Sequence, residues 1–265
     1  MKAQLLALAT VTLLLITGMV PAHASERHFA YSYESTVLPP GARELEVWTT
    51  WRGKRERFYS SFDHRVEFEV GVVGKLQTAF YLNFATSAAD DALGVRTTRF
   101  DFRGVSSEWK LQLLDPISDV LGFAPYFELN ASADSIELEG KLIFDKRIGR
   151  ALFAANVVAE HEWRFGASET KQETELFATL GGAYFVTPNL GVGAEARGET
   201  ELGGATWEST VFYLGPTVSY ATSWWWAALH ASRQIGGLQS GAKRDIFVCE
   251  NHEQYQVRLL FSFHI

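Results

Sequence analysis

The chain has a single cysteine, Cys249, in 265 residues. That excludes an internal disulfide and any thiolate metal cluster. Beyond residue 24 no apolar run is long enough for a membrane helix, which needs about 20 consecutive residues. Cations are in deficit: 24 Lys and Arg stand against 31 Asp and Glu, a formal charge of −7. Such a balance argues against nucleic acid as a partner. Histidines are few and scattered, with no ligand spacing, so no metal or other cofactor is expected. No local nucleophile motif is present.

What is there begins with a secretion signal. Lys2 supplies a positive start, Leu5 to Val20 an apolar stretch, and Ala22-His23-Ala24 a small-x-small cleavage site. Residues 1–24 are therefore expected to be cleaved, leaving a net charge of −8 once Lys2 is lost. Residues 25–42 alternate poorly and end just after Pro39-Pro40-Gly41; they are expected to form a periplasmic lead-in tucked into the barrel mouth. Residues 43–265 are assigned to the barrel itself.

The stretch FDHRVEFEVGVVGKLQTAFYLNF, Phe62 to Phe84, carries the fold. Val66, Phe68, Val70 and Val72 alternate with Arg65, Glu67 and Glu69, and after Gly74-Lys75 the alternation resumes with Leu76, Phe80, Leu82 and Phe84. Period two marks a strand with one apolar and one polar face, and two such runs make a hairpin. The pattern recurs to the C-terminus and gives about twelve strands. Gly104 is read as a bulge in the strand from Thr97 to Leu113. Leu190 to Arg197 is read as a short ninth strand, and Ser232 to Glu253 as the longest loop. Two blemishes stand out: Trp48 lies on a polar face, and the faces of Trp224-Trp225-Trp226 are ambiguous. Connections after strands one, three, seven, nine and eleven read as mostly longer than those after the even strands. The fold expected is all-β: a transmembrane, antiparallel, up-and-down β-barrel with both termini in the periplasm.

The closing run QYQVRLLFSFHI resembles the C-terminal signal by which Gram-negative outer-membrane barrels meet their insertion machinery. It departs from that pattern in ending on Ile265, with Phe263 two before it. The segment YESTVLPPGARELEVWTTWR, with the hairpin that follows, resembles a family of Gram-negative outer-membrane β-barrels akin to transporters of the aromatic-degradation type. The resemblance implies fold and outer-membrane location. It supplies no site residues.

Phase places one set of charges toward the lumen. The acidic set is Glu44, Glu46, Glu67, Glu69, Asp101, Glu108, Glu128, Glu137, Glu139, Glu160, Glu162, Glu173, Glu175 and Glu195. The basic set is Arg65, Arg99, Arg103, Lys110, Lys141, Arg164, Arg197 and Arg258. Such groups must be paired or wet. Two readings are open: a polar network filling a narrow lumen, or an acid-rich channel passing a small solute with a preference for cations. The basic loop residues Arg52, Lys54, Arg55 and Arg57 could meet lipopolysaccharide phosphates, or be solvated. A lipid-modifying enzyme is the lesser alternative, with His64 and His161 on apolar faces and Ser60, Ser61 and Ser168 near the rims. Cys249, Glu250 and His252 form one weak cluster in the last loop. A monomer in outer-membrane lipid is expected. A soluble barrel with the same alternation inverted is the remaining rival.

Overall fold

The computed structural model describes residues 26–55, 57–240 and 252–265. The signal segment, Cys249 and Glu250 lie outside the described residues. No helix among the described residues is long and apolar enough to cross a membrane, which says nothing of a barrel.

Twelve strands form one closed antiparallel barrel. They are β1 (Arg43–Gly53), β2 (Tyr59–Val73), β3 (Leu76–Asp90), β4 (Arg96–Leu111), β5 (Gly122–Ala131) and β6 (Ser135–Ile148). Then come β7 (Ala151–Phe165), β8 (Thr170–Phe185), β9 (Leu190–Gly203), β10 (Thr206–Ala221), β11 (Trp225–Gln239) and β12 (Tyr255–His264). Each strand pairs with its sequence neighbours. β12 closes on β1 from Glu44↔His264 to Gly53↔Tyr255. Closure leaves the sheet without a free side strand.

The faces follow the alternation. Phe62, Phe80, Phe127, Phe153 and Phe212 are exposed on the outside, whereas Glu44, Glu46, Glu67, Gln77 and Glu108 are buried inside. That is the inverse of a soluble barrel, and the apolar exterior suits hydrocarbon. The tryptophan run resolves: Trp226 points in and is fully buried, while Trp224 is exposed.

Three expectations need correction. Leu190 to Arg197 is only the lower part of β9, which continues to Gly203. The added residues, Gly198-Glu199-Thr200-Glu201-Leu202-Gly203, keep Glu199 and Glu201 in phase with Glu195 and Arg197, but their other face, Gly198, Thr200 and Leu202, has only one apolar side chain to mark it. β11 likewise runs to Gln239, so the last loop starts at residue 240. The expected contrast in loop lengths is weak for the same reason. β9 and β10 are joined by two residues, and the ten-residue connection after β4 lies at the terminus end. The bulge is where the sequence put it: Gly104 adopts φ +108 and the β3–β4 register shifts between Asn83 and Phe84. Only glycine adopts that conformation at little cost.

Candidate channel and its plug

Residues 26–38 are not a tail outside the barrel. Phe29, Ala30, Ser32 and Ser35 are wholly buried within the lumen at the terminus end. Short inward side chains make room for them. Tyr31 and Tyr33 pack with Ala124, Ala221, Ala228 and Trp226, and Phe29 packs with Leu152, Ala154 and Ala183. Gly181 is part of this fit, since a Cβ there would meet the Phe29 ring at 2.8 Å.

A segment without regular structure must find partners for its buried backbone groups. The barrel wall supplies them. The Glu195 carboxylate accepts the backbone N–H groups of Ala30, Tyr31 and Ser32 at 2.7, 2.8 and 2.8 Å. Asn156 accepts from the Tyr33 amide at 2.6 Å and donates to the Tyr33 carbonyl at 3.0 Å. Gln77 accepts from the Leu38 amide at 2.8 Å, and Arg258 donates to the Ala30 carbonyl. Glu195 thus anchors the plug rather than lining open space.

Trp48, the blemish of the sequence pattern, sits at the centre of this layer. The guanidinium groups of Arg27, Arg65 and Arg258 lie over its ring at 4.8, 4.9 and 5.2 Å. Cations over aromatic faces gain most when desolvated. Arg27 also lies 3.5 Å from Glu46, so the lead-in brings its own counter-ion to the acidic wall. Lys141 stands over Tyr33 and Tyr126 and pairs with Glu139 at 2.9 Å.

Above the plug the lumen opens into a cavity of about 730 Å³. Glu108, Glu128, Glu139, Glu160, Glu175 and Glu201 stand directly opposite one another across six successive strands, β4 to β9, and of these Glu160 and Glu175 face the cavity. A second row, Glu137, Glu162 and Glu173, crosses β6 to β8. Like charges facing each other across strands repel. Some are neutralised: Arg65 grips Glu128 with two nitrogens at 3.1 and 3.3 Å, and Arg164 pairs with Glu162. Glu137, Glu160, Glu173 and Glu175 line the cavity and make no ion pair among the described residues. Carboxylate oxygens of Glu173, Glu175 and Glu201 lie within 4.8 Å of one another, close enough for one cation to meet all three.

Arg52 of β1, Arg99 and Arg103 of β4 and Arg258 of β12 also line the cavity. Arg103 lies 3.6 Å from Asp101. Arg258 bonds Thr50 and the Ala30 carbonyl, and no carboxylate among the described residues. The remaining sequence candidates lie deeper and are buried. Glu44 contacts His264 and Ser262, Glu69 accepts from Gln77, and Glu67, Glu108 and Lys110 are enclosed. Arg197 pairs with Glu199 at 2.7 Å and donates to Gln256.

The basic loop is divided. Arg52 belongs to β1 and pairs with Asp63 at 3.1 Å. Arg55 lines the cavity and grips Glu253. Only Lys54, at φ +64, and Arg57 are exposed. Burial opposes charge on Glu253, but Arg55 and Arg52 outweigh it and hold this carboxyl below its usual value. Burial likewise disfavours charged His252, yet its bond to Glu201 and the field of Glu201, Glu199 and Glu253 raise its pKa.

The histidines proposed for catalysis are occupied by threonines, His64 with Thr49 at 3.1 Å and His161 with Thr174 at 2.7 Å. Ser209, His252 and Glu201 do meet, at 2.9 Å from Oγ to Nε2 and 3.4 Å from Nε2 to the carboxylate. One ring nitrogen serves both contacts, whereas a catalytic triad uses opposite nitrogens for Ser and acid.

Residues 21–265 match the model of a family of unknown function, DUF6662. The chain belongs to that family. No curated protein matches it. Among solved structures it is similar to the COG4313 outer membrane channel from Pseudomonas putida F1, at 12% identity and a TM-score of 0.63. That match covers 87% of this chain and 98% of the channel. The NanC porin aligns at 9% identity with a TM-score of 0.55, covering 83% of this chain and 100% of the porin. The translocator domain of the autotransporter NalP from Neisseria meningitidis aligns at 9% and 0.51, covering 86% and 89%. At such identities the likeness is one of fold: the chain has the architecture of outer-membrane channels and porins.

Proposed function

We propose that this DUF6662 protein is an outer-membrane barrel that passes a small cationic solute. Both termini face the periplasm, and the lead-in narrows the path at that end. The observation that carries the reading is the cavity of about 730 Å³ lined by Glu137, Glu160, Glu173 and Glu175, which make no ion pair among the described residues. That volume suits a small molecule, and uncompensated carboxylates favour cations. The channel and porin neighbours support the fold-level half of the proposal. Lys54 and Arg57 are the cations left to meet lipopolysaccharide, and the β12 stripe is the surface for the insertion machinery.

A non-conducting structural barrel is the second reading, favoured by the tight packing of residues 26–38. Reversal potentials in a KCl gradient test the choice. Wild-type protein in a planar bilayer should prefer K⁺ over Cl⁻ several-fold. The quadruple change of Glu137, Glu160, Glu173 and Glu175 to Gln should bring that ratio near unity. An unchanged ratio would remove the acidic wall from the account.

A further inference from the structure

The barrel wall is not of even height. β4 begins at Arg96, but β5 ends at Ala131, and the two pair only from Val105↔Ala131 to Lys110↔Tyr126. Residues 96–102 pair with β3 on one side, and Arg103 is the extra residue of the bulge. On the other side no strand among the described residues pairs with them. β6 starts again at Ser135, next to the turn, and pairs there with Arg164, so that β7 ends one residue further on, at Phe165. A notch therefore opens over the β5–β6 turn beside the free edge of β4, with the end of β7 level with its floor. Free strand edges invite unwanted pairing, and charged residues guard against it. Here Arg96, Arg99, Asp101 and Arg103 stud the free edge.

The cavity reaches into this notch. It is lined by inward Arg99 and Asp101, by Ser132 and Asp134 of the turn, and also by Phe84 and Phe102. The last two stand opposite each other on the outward face, with their rings 5.5 Å apart. Phe100 joins them 6.2 Å from Phe84. Because the cavity is lined both by β4 residues of the unpaired edge, Arg99, Asp101 and Arg103, and by Ser132 and Asp134 of the turn that floors the notch, it opens toward the notch. Across the notch, Ile136 and Trp163 stand opposite each other just below its floor. Apolar groups on the exterior thus reach the sill on both sides.

We infer that the notch is a lateral portal, through which an organic cation with an apolar body leaves the cavity for the membrane. The inference rests on the passage reading and names its substrate class. The cationic group meets the glutamate wall, and the apolar body meets Phe84, Phe100 and Phe102 as it exits. The downward path is filled by the lead-in, so the side path is the less obstructed one.

Two variants test this. One lengthens the β5–β6 hairpin by four strand-forming residues, two after Ala131 and two before Ser135, so that the turn climbs along the β4 edge. The other is Phe102→Lys, which charges the sill without raising the wall. Uptake of ethidium, a flat aromatic cation, is followed in Gram-negative cells expressing each variant. K⁺ conductance of the same purified proteins is read in planar bilayers. Both variants should slow ethidium entry at least ten-fold while K⁺ conductance stays within two-fold. If the lengthened hairpin does not fold, Phe102→Lys decides alone. Ethidium entry unchanged in the variants, or absent in wild type, would overturn the portal. Ethidium entry without K⁺ conductance would sink axial passage and leave the portal standing.

Discussion

Replacing Glu195 by Ala should release the plug while leaving the barrel intact. Glu195 sits on β9, and its carboxylate holds three consecutive amides of the lead-in at 2.7–2.8 Å. Hydrogen bonds to a charged acceptor contribute roughly 1.5–3 kcal/mol each. The gross sum is about 5–9 kcal/mol by that scale, and removing the acceptor strands three buried donors. Water entering the vacated space recovers part of this, so the net change is taken as about 4 kcal/mol. At 1.4 kcal/mol per decade, the opening equilibrium of residues 30–32 should rise by about 10³. Amide hydrogen exchange reads this directly. Ala30, Tyr31 and Ser32 should exchange about a thousand-fold faster. Leu38, held separately by Gln77, should change far less. Glu195→Gln keeps one carbonyl oxygen but turns an NH₂ toward the donors, so its effect should be intermediate. Exchange at the three amides within about three-fold of wild type, in a folded barrel, would refute the claim that this carboxylate anchors the plug.

Three further outcomes follow from the same geometry. Trp48→Ala removes the ring beneath three arginines and should cost about 3–5 kcal/mol, as large aromatic truncations do; the urea midpoint of the barrel reads it, and a midpoint equal to wild type would count against the aromatic floor. Gly71→Ala places a Cβ 2.1 Å from the Pro39 carbonyl oxygen and 2.5 Å from that of Leu38. Because those are backbone atoms, the change should cost roughly 1–3 kcal/mol and speed proteolysis of residues 26–42. His252 has its pKa raised in the folded state, so its contribution is complete below its unfolded pKa of about 6.5 and is lost as pH rises through the raised value. Protection of the amides around His252 and Glu253, corrected for the base-catalysed rise of intrinsic exchange, should therefore fall as pH passes through that raised pKa, and His252→Gln should flatten that dependence.

The barrel was legible because lipid outside and charge inside impose period two on every strand, so all twelve could be found from one chain. Strand ends were less legible where they rise beyond the apolar belt. In residues 198–203 the outward face is Gly198, Thr200 and Leu202, so the apolar half of the alternation fades although Glu199 and Glu201 keep its phase. Arg52 read as a loop cation because the apolar alternation stops at Trp51, yet β1 continues to Gly53 and turns Arg52 inward. The lumen charges could be assigned by phase, but not their partners. Arg65 and Glu128 are 63 residues apart, and Glu195 and Tyr31 are 164 apart. Only ring closure and register bring them together. The plug left one trace in the sequence: Trp48 on a polar face, which is unfavourable in an open aqueous lumen and apt in one filled by Tyr33 and Arg27.

The most direct test of a plugged, acid-walled passage is the single-channel conductance of the refolded chain, compared with Glu195→Ala, in one planar bilayer under a KCl gradient. The account predicts small cation-selective steps for wild type and steps at least several-fold larger for the variant, with the same sign of reversal potential. Folded barrels that stay silent in both forms would contradict it.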